Sequence, residues 1–236
     1  MRGPWSSLLF VLPLLGLYEV GLDRFQDLGA LRTGADLWVR QALTGIGASP
    51  IERWLPMAIL IGLLVAWQLI DRSYWRLRLG DLVGMLAESL VLAVGLVGLS
   101  KLVDLGFDRL EGGLLLANGP GPSDQRLALA VGFLGAGIYE EAIFRLALVP
   151  LLYGVLRSLQ TPAILASTLA VTGSALLFSM AHHVGGPGEA FTWFAFVFRW
   201  LAGVYFAWVF VLRGFGVAVG THIAYDMLVG CVGWHL

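Results

Sequence analysis

The sequence predicts an all-α fold, a polytopic membrane bundle of about seven transmembrane helices. Hydrophobic residues make up 58% of the 236 residues and charged residues only 13%, which is about half the charged fraction of an ordinary soluble domain. The mean hydropathy is +0.81. Apolar segments near the length of about 20 residues that crosses a bilayer recur along the chain. The chain therefore has room for one bundle surrounded by lipid.

Composition also argues against several classes of protein. The net charge is −1 and no basic patch is present, so nothing indicates a nucleic-acid partner. Cys231 is the single cysteine. An internal disulfide and a cysteine-based metal site are therefore excluded.

The predicted spans are bounded by interface residues and turn formers. Residues 5–22 follow Arg2 and resemble a signal peptide, but no small-x-small cleavage motif comes after them, so they are predicted to stay as the first span. Trp54 opens the second span at the membrane interface, and Pro162 suits the first turn of the fifth. The predicted spans are residues 5–22, 54–70, 82–103, 127–156, 162–182, 190–212 and 215–234.

Between the first two spans, residues 35–43 are predicted to form a helix that lies in the membrane interface. Leu37 and Trp38 would face lipid, and Arg40 would face water.

Glycines and prolines predict loops at residues 118–123 and 185–188. Pro150 is predicted to bend or end the fourth span. Residues 1–125 then hold spans one to three with the interfacial segment. Residues 126–236 hold the last four spans as a separate core.

Arginine placement predicts the orientation in the membrane. One group of arginines falls in loops two, four and six, and this side is predicted to be cytoplasmic. The amino terminus would lie in the cytoplasm and the carboxyl terminus outside, although the first loop carries arginines on the opposite side. The first group is Arg72, Arg76, Arg78, Arg157 and Arg213, and the second is Arg24, Arg32, Arg40 and Arg53.

The fourth span contains three charged residues, Glu140, Glu141 and Arg145. Each costs on the order of 2.5–3.5 kcal/mol in hydrocarbon before it finds a partner. Glu141 and Arg145 are four residues apart and can pair on one helix face. Glu140 is rotated by about 100° from Glu141 and has no such partner in its own helix. It is therefore available for chemistry.

Two more spans carry polar residues where they are costly. Span five ends with Phe178 to His182, and span seven contains His222 and Asp226 four residues apart. An aspartate one turn from a histidine can accept its ring N–H and fix the tautomer. Along straight helices His182 lies about 30 Å from Pro162, whereas His222 lies only about 12 Å from the start of its span. The histidines can meet only if span five is offset or tilted, or if span seven is broken.

Three motifs follow one another on separate spans, and in this order they resemble the motifs of the CPBP family. They are Glu-Glu-x-x-x-Arg, Phe-x-x-x-His and His-x-x-x-Asp. The family consists of CAAX-processing and bacteriocin-processing intramembrane endopeptidases and is also called the Abi family. The resemblance covers about residues 126–235. It implies an all-helical membrane peptidase with its site in the last four spans.

The resemblance also implies roles for individual residues. Glu140 and His182 would hold and deprotonate a water molecule, and His222 would stabilise the oxyanion. Glu141 and Arg145 would pair with each other and position a helix or the substrate. Asp226 stands where the prenyl-protein branch has asparagine. An ionised aspartate cannot donate to an oxyanion, so Asp226 is either protonated or orients His222, and we favour orientation.

For partners, the resemblance implies a membrane-anchored or lipidated protein in the lipid bilayer of a bacterial inner membrane, and no cofactor. The substrate could be a prenylated CAAX protein, a bacteriocin leader peptide or a carboxyl-terminal membrane anchor.

Other mechanisms fit the same residues. His182, His222 and a glutamate could hold zinc with water as the fourth ligand, although the sequence has no His-Glu-x-x-His. A proton-coupled transporter or a non-catalytic scaffold could also use intramembrane charges, but no inverted repeat supports transport. A covalent mechanism lacks a nucleophile, because Ser179 is expected to bond to its own backbone.

Overall fold

The computed structural model describes residues 3–25, 32–45, 47, 54–72, 75–76, 78–111, 123–184 and 190–231. Every regular element in these residues is a helix, which confirms the all-α prediction. The helices are α1 (Pro4–Phe25), α2 (Gly34–Gly45), α3 (Leu55–Asp71), α4 (Leu79–Glu111), α5 (Ser123–Glu141), α6 (Val149–Ser158), α7 (Ala163–Ala181), α8 (Trp193–Arg213) and α9 (Phe215–Gly230). A π-helical segment, Ala142–Leu148, joins α5 to α6.

Five helical stretches in the described residues are long and apolar enough to cross a membrane, and this confirms a helical membrane bundle. They are Pro4–Phe25, Leu79–Phe107, Arg126–Ser158, Ala163–Ala181 and Trp193–Arg213. Each of the other two predicted spans also forms an apolar helix, but a shorter one. These are α3, with 17 residues, and α9, with 16.

The fourth predicted span continues through Pro150 instead of ending there. Pro150 lies in the first turn of α6, directly after the π-helical segment. A proline is tolerated at that position because the first turn of a helix does not need its N–H. The helical path therefore extends from Arg126 to Ser158.

One hydrophobic core connects the amino-terminal and carboxyl-terminal helices. Leu15 and Tyr18 of α1 are buried in it together with Ile138 of α5 and Phe215 of α9. Helices pack closely in membranes where small residues let their backbones approach. The helices before residue 126 therefore lie directly against those that carry the charged motifs.

α9 begins inside the bundle. Gly214 ends α8 and turns the chain with a φ of 99°, a conformation that favours glycine. The residues from Phe215 to Ile223 are all buried, and the N–H of Gly216 donates to Ser7 Oγ at 3.1 Å. His222 lies about two helical turns after the start of α9.

The interfacial segment forms α2, with Leu37 and Trp38 exposed as predicted. The prediction that Arg40 faces water is wrong, because Arg40 is only 8% exposed. Its guanidinium binds Asp36 and Glu19. Both carboxylates are buried, and a buried carboxylate is costly without a cationic partner.

Candidate active site

The charged stretch lies where α5 gives way to the π-helical segment. Glu140 and Glu141 are the last two residues of α5, and Arg145 lies within the π turn. Single π-helical turns inside α-helices occur frequently at functional sites. Ser174 Oγ of α7 donates to the carbonyl of Phe144 at 2.6 Å, so a backbone group of the π turn is satisfied from a neighbouring helix.

Glu141 and Arg145 form the predicted ion pair. Arg145 Nη1 lies 3.1 Å from Glu141 Oε1, and the side chains are 1% and 0% exposed. Arg145 Nη2 also donates to the carbonyl of Gly203 on α8 at 3.2 Å. Its guanidinium carbon lies 4.3 Å from the centre of the Phe178 ring, within the range of a cation–π contact. These contacts are internal, which favours pairing over direct contact with a substrate.

The fold brings Glu140, His182 and His222 together from three separate helices. Glu140 Oε2 lies 3.7 Å from His182 Nε2 and 3.8 Å from His222 Nε2. This oxygen is buried and has no hydrogen-bond partner among the described residues. Both imidazoles therefore point the same ring nitrogen at one carboxylate oxygen.

The other ring nitrogen of each histidine is held by a hydrogen bond. His182 Nδ1 lies 2.9 Å from the carbonyl oxygen of Phe178, and His222 Nδ1 lies 2.8 Å from Glu141 Oε1. A carbonyl and a carboxylate oxygen both accept, so Nδ1 carries the proton in each ring. A neutral ring of this tautomer presents the Nε2 lone pair toward Glu140.

Aromatic rings fix the same imidazoles. The Phe206 ring stacks on His222, with 4.4 Å between centroids and 11° between planes. Phe178 meets His182 edge-on, with 4.7 Å between centroids. The sequence singled out Phe178 through its motif, but it gave no signal for Phe206, because that contact joins α8 to α9.

Asp226 does not make the orienting contact that the sequence predicted. Its Oδ2 lies 3.6 Å from His222 Nε2, the nitrogen that faces Glu140, and the Nδ1 proton goes to Glu141 instead. The reason is the packing of α9, which turns the Nδ1 side of the ring toward α5. Asp226 thus joins Glu140 on the open side of the ring.

Ser179 also differs from its prediction. Its hydroxyl donates to the carbonyl of Phe196 on α8 at 2.7 Å, and not to its own helix. The hydroxyl therefore ties α7 to α8 near the site.

The site is open at one end and closed at the other. The side chains of Glu140, Asp226 and His182 are 13%, 20% and 25% exposed, whereas Glu141 and Arg145 are fully buried. The open end is the end of the bundle where α7 finishes.

The zinc alternative can be compared with this geometry. In the described part of the chain, no group of three histidine, cysteine, aspartate or glutamate side chains is arranged to hold a metal ion. The donor types of His182, His222 and Glu140 are nevertheless those that zinc accepts. Chelation therefore separates the two mechanisms experimentally.

Fold and site together define a helical membrane protein with carboxylates and imidazoles gathered inside the bundle. Residues 122–228, which include all six predicted site residues, match the family model described as "Type II CAAX prenyl endopeptidase Rce1-like". This part of the chain, less than half of its length, is similar to CAAX proteases, the family that its motifs resemble. No curated protein and no solved structure matches the chain.

The match supports the general class of a CAAX-type intramembrane endopeptidase. The five long apolar helices among the described residues support an integral membrane protein. Proteases of this family act on prenylated or membrane-associated proteins in the bilayer.

Proposed function

We propose that the protein is a glutamic intramembrane endopeptidase in which Glu140 and His182 activate a water molecule. The observation that carries this proposal is the approach of two Nε2 atoms to Glu140 Oε2, at 3.7 and 3.8 Å. Both distances are longer than a direct hydrogen bond. When both rings are neutral, the two Nε2 atoms and Glu140 Oε2 are all acceptors. A water molecule can donate its two protons to two of these acceptors, Glu140 and one imidazole.

The reaction follows from this placement. Glu140 takes one proton as the water oxygen bonds to the carbonyl carbon of the scissile peptide, and the carbonyl electrons move onto its oxygen. When the C–N bond breaks, Glu140 returns the proton to the leaving nitrogen. One water is consumed, and the products are a new carboxyl group and an amine. Acid–base catalysis of this kind contributes roughly 10²–10⁴-fold in rate.

In this proposal, His222 stabilises the oxyanion. Its Nδ1 proton is held by Glu141, so the ring cannot turn away from the site. Donation from Nε2 needs a second proton on the ring, and Asp226 Oδ2, 3.6 Å from that nitrogen, is placed to share one. A preorganised donor at an oxyanion is worth about 3–4 kcal/mol of barrier.

The substrate class follows from the side on which the site opens. The start of α1 meets the end of α3, because the Trp5 N–H donates to Gln68 Oε1 at 2.9 Å, and it also meets the start of α9. Exposed arginines mark this end of the bundle, namely Arg72, Arg76, Arg78 and Arg213. At the other end, Arg32 and Arg40 form ion pairs with Glu19 and Asp36. Arg24 and Arg126 are exposed there, so among the described residues the arginine-marked end carries the larger number of exposed arginines.

By the positive-inside rule, the arginine-marked end is cytoplasmic. The site opens at the opposite end, so the substrate is a membrane-anchored precursor cleaved from the outer side. Removal of a carboxyl-terminal membrane anchor fits this direction, whereas a cytosolic prenylated CAAX protein would approach from the closed end.

Cleavage by purified protein tests the proposal. Two quenched-fluorescence peptides serve as probes, one farnesylated with a CAAX-type end and one with a carboxyl-terminal hydrophobic helix. Glu140→Gln should lower the cleavage rate by at least about 10³-fold, because the amide cannot take a proton. Glu88→Gln is the matched control, since Glu88 pairs with Arg213 away from the site, and it should cleave like the unmodified protein.

Two outcomes of this cleavage assay would contradict parts of the proposal. Cleavage by Glu140→Gln at a rate near that of Glu88→Gln would refute the role of Glu140. Faster cleavage of the farnesylated peptide than of the anchor peptide would overturn the proposed substrate class but not the mechanism.

A further inference from the structure

A second buried polar cluster lies between α1 and α2, outside the residues that match the family model. It consists of Glu19, Arg32, Asp36 and Arg40. Arg32 binds Asp36 at 2.7 Å and Glu19 at 3.3 Å, and Arg40 binds the same two carboxylates at 2.7 and 3.2 Å. Each arginine thus bridges both acids, and α2 is fixed against the end of α1.

The cluster is fully compensated. Two carboxylates face two guanidinium groups, and Asp36 and Glu19 are buried. Burial opposes the charge of Arg32, but its hydrogen bonds to Asp36 and Glu19 outweigh this effect and raise the pKa of Arg32 above its ordinary value. Arg32 therefore keeps its charge at any physiological pH, and the cluster behaves as a rigid unit.

Tyr18 connects this cluster to the helix that carries Glu140. Its hydroxyl donates to Asp36 Oδ2 at 2.8 Å. Its ring packs edge-on against Tyr139, with 5.7 Å between centroids, and it also lies against Gly135, where no side chain would fit. Tyr18 and Tyr139 are both buried. The cluster thus contacts α5 one residue before the proposed base.

The rotation of α5 about its axis decides where Glu140 points. A helix with side chains has a radius of about 5–6 Å, so a rotation of roughly 10° moves a carboxylate by about 1 Å. A misplacement of about 1 Å can lower a rate by about 10²-fold. At Gly135 the ring of Tyr18 lies directly against the backbone of α5, whereas Gly137 lies against Ile223 of α9. α1 and α9 therefore both contact α5 within a few residues of Glu140.

We propose that Tyr18, held by the cluster, is a positioning residue that fixes the rotation of α5 and so directs Glu140 toward His182 and His222. The inference rests on the proposed function of Glu140. It assigns a catalytic contribution to the amino-terminal helices, which lie outside the matched family region. Tyr18 acts through α5 and does not touch the substrate.

Steady-state cleavage of the two fluorescent peptides tests this role. Tyr18→Leu removes both the ring contact and the hydrogen bond to Asp36. We expect it to lower kcat by about 10–100-fold with KM within about twofold. Tyr18→Phe keeps the ring against Tyr139 and Gly135 but removes the hydrogen bond to Asp36, and should recover only part of kcat. Leu64→Ala, at a buried position of α3, is the control for a comparable loss of stability and should keep kcat.

The readouts separate positioning from simple destabilisation. Rates are measured per folded protein, well below the unfolding temperature of each variant. The proposal is overturned if Tyr18→Leu loses no more kcat than Leu64→Ala, if its loss is confined to KM, or if Tyr18→Phe is as impaired as Tyr18→Leu. Failure of the proposed function shows separately, as cleavage that survives Glu140→Gln.

Discussion

The buried pair of Glu141 and Arg145 allows a quantitative prediction about stability. Arg145→Met keeps the length of the side chain but removes the ion pair at 3.1 Å and the hydrogen bond to the Gly203 carbonyl. Breaking a buried ion pair from one side typically costs about 3–5 kcal/mol, because the remaining charge is left uncompensated. We expect a destabilisation of this size for Arg145→Met.

The double variant should recover much of that loss. In Glu141→Gln with Arg145→Met, no charge of the pair remains buried, and coupling between residues in contact reaches about 3 kcal/mol. The amide oxygen of a glutamine can still accept the Nδ1 proton of His222. The double variant should therefore also keep measurable cleavage activity.

The assay is unfolding in mixed micelles titrated with denaturing detergent, followed by the fraction of folded protein. Arg213→Met is the matched control, because its pair with Glu88 is partly exposed and exposed pairs contribute about 0–1 kcal/mol. If the double variant is as unstable as Arg145→Met alone, the pair is not the source of the loss and the reasoning fails. If activity follows Arg145 alone while stability is unaffected, Arg145 binds substrate instead.

Two further predictions follow from the site and from its orientation. Asp226→Asn should keep most of the cleavage activity, because an amide N–H can donate toward the oxyanion. Asp226→Ala should lower the cleavage rate by at least about tenfold. Equal losses in the two variants would show that the carboxylate is needed as a base or as a metal ligand. The orientation is tested with Phe191→Cys and Arg76→Cys, both made in a Cys231→Ala background. A membrane-impermeant maleimide applied to intact cells should label Phe191→Cys but not Arg76→Cys. The reverse pattern would place the open end of the site in the cytoplasm.

Much of the site could be predicted because charge in hydrocarbon is so costly. Glu140, His182 and His222 lie on three separate spans, and a shared polar cavity reduces the cost of each. The pairing of Glu141 with Arg145 needed only helical periodicity. These inferences depend on the spacing of residues within one helix and on the low polarity of the membrane interior. Both can be inferred from a sequence.

The side-chain contacts that the sequence did not predict depend on how the helices are rotated against one another. Arg40 was assigned to water because its acidic partner Glu19 lies 21 positions away on another helix. Asp226 does lie beside His222, at 3.6 Å, but the partner of His222 Nδ1 is Glu141, 81 positions away. Ser179 likewise bonds across to α8. No periodicity within one segment reports such contacts, and no sequence pattern indicates the π-helical turn after Glu141.

The central claim is that Glu140 activates water without a metal ion. The most direct measurement combines metal analysis of the purified protein with peptide cleavage before and after treatment with a strong zinc chelator. We expect substoichiometric metal, unchanged cleavage after chelation, and no cleavage by Glu140→Gln under either condition. Loss of cleavage on chelation, restored by added zinc, would contradict the account and assign the water to a metal centre.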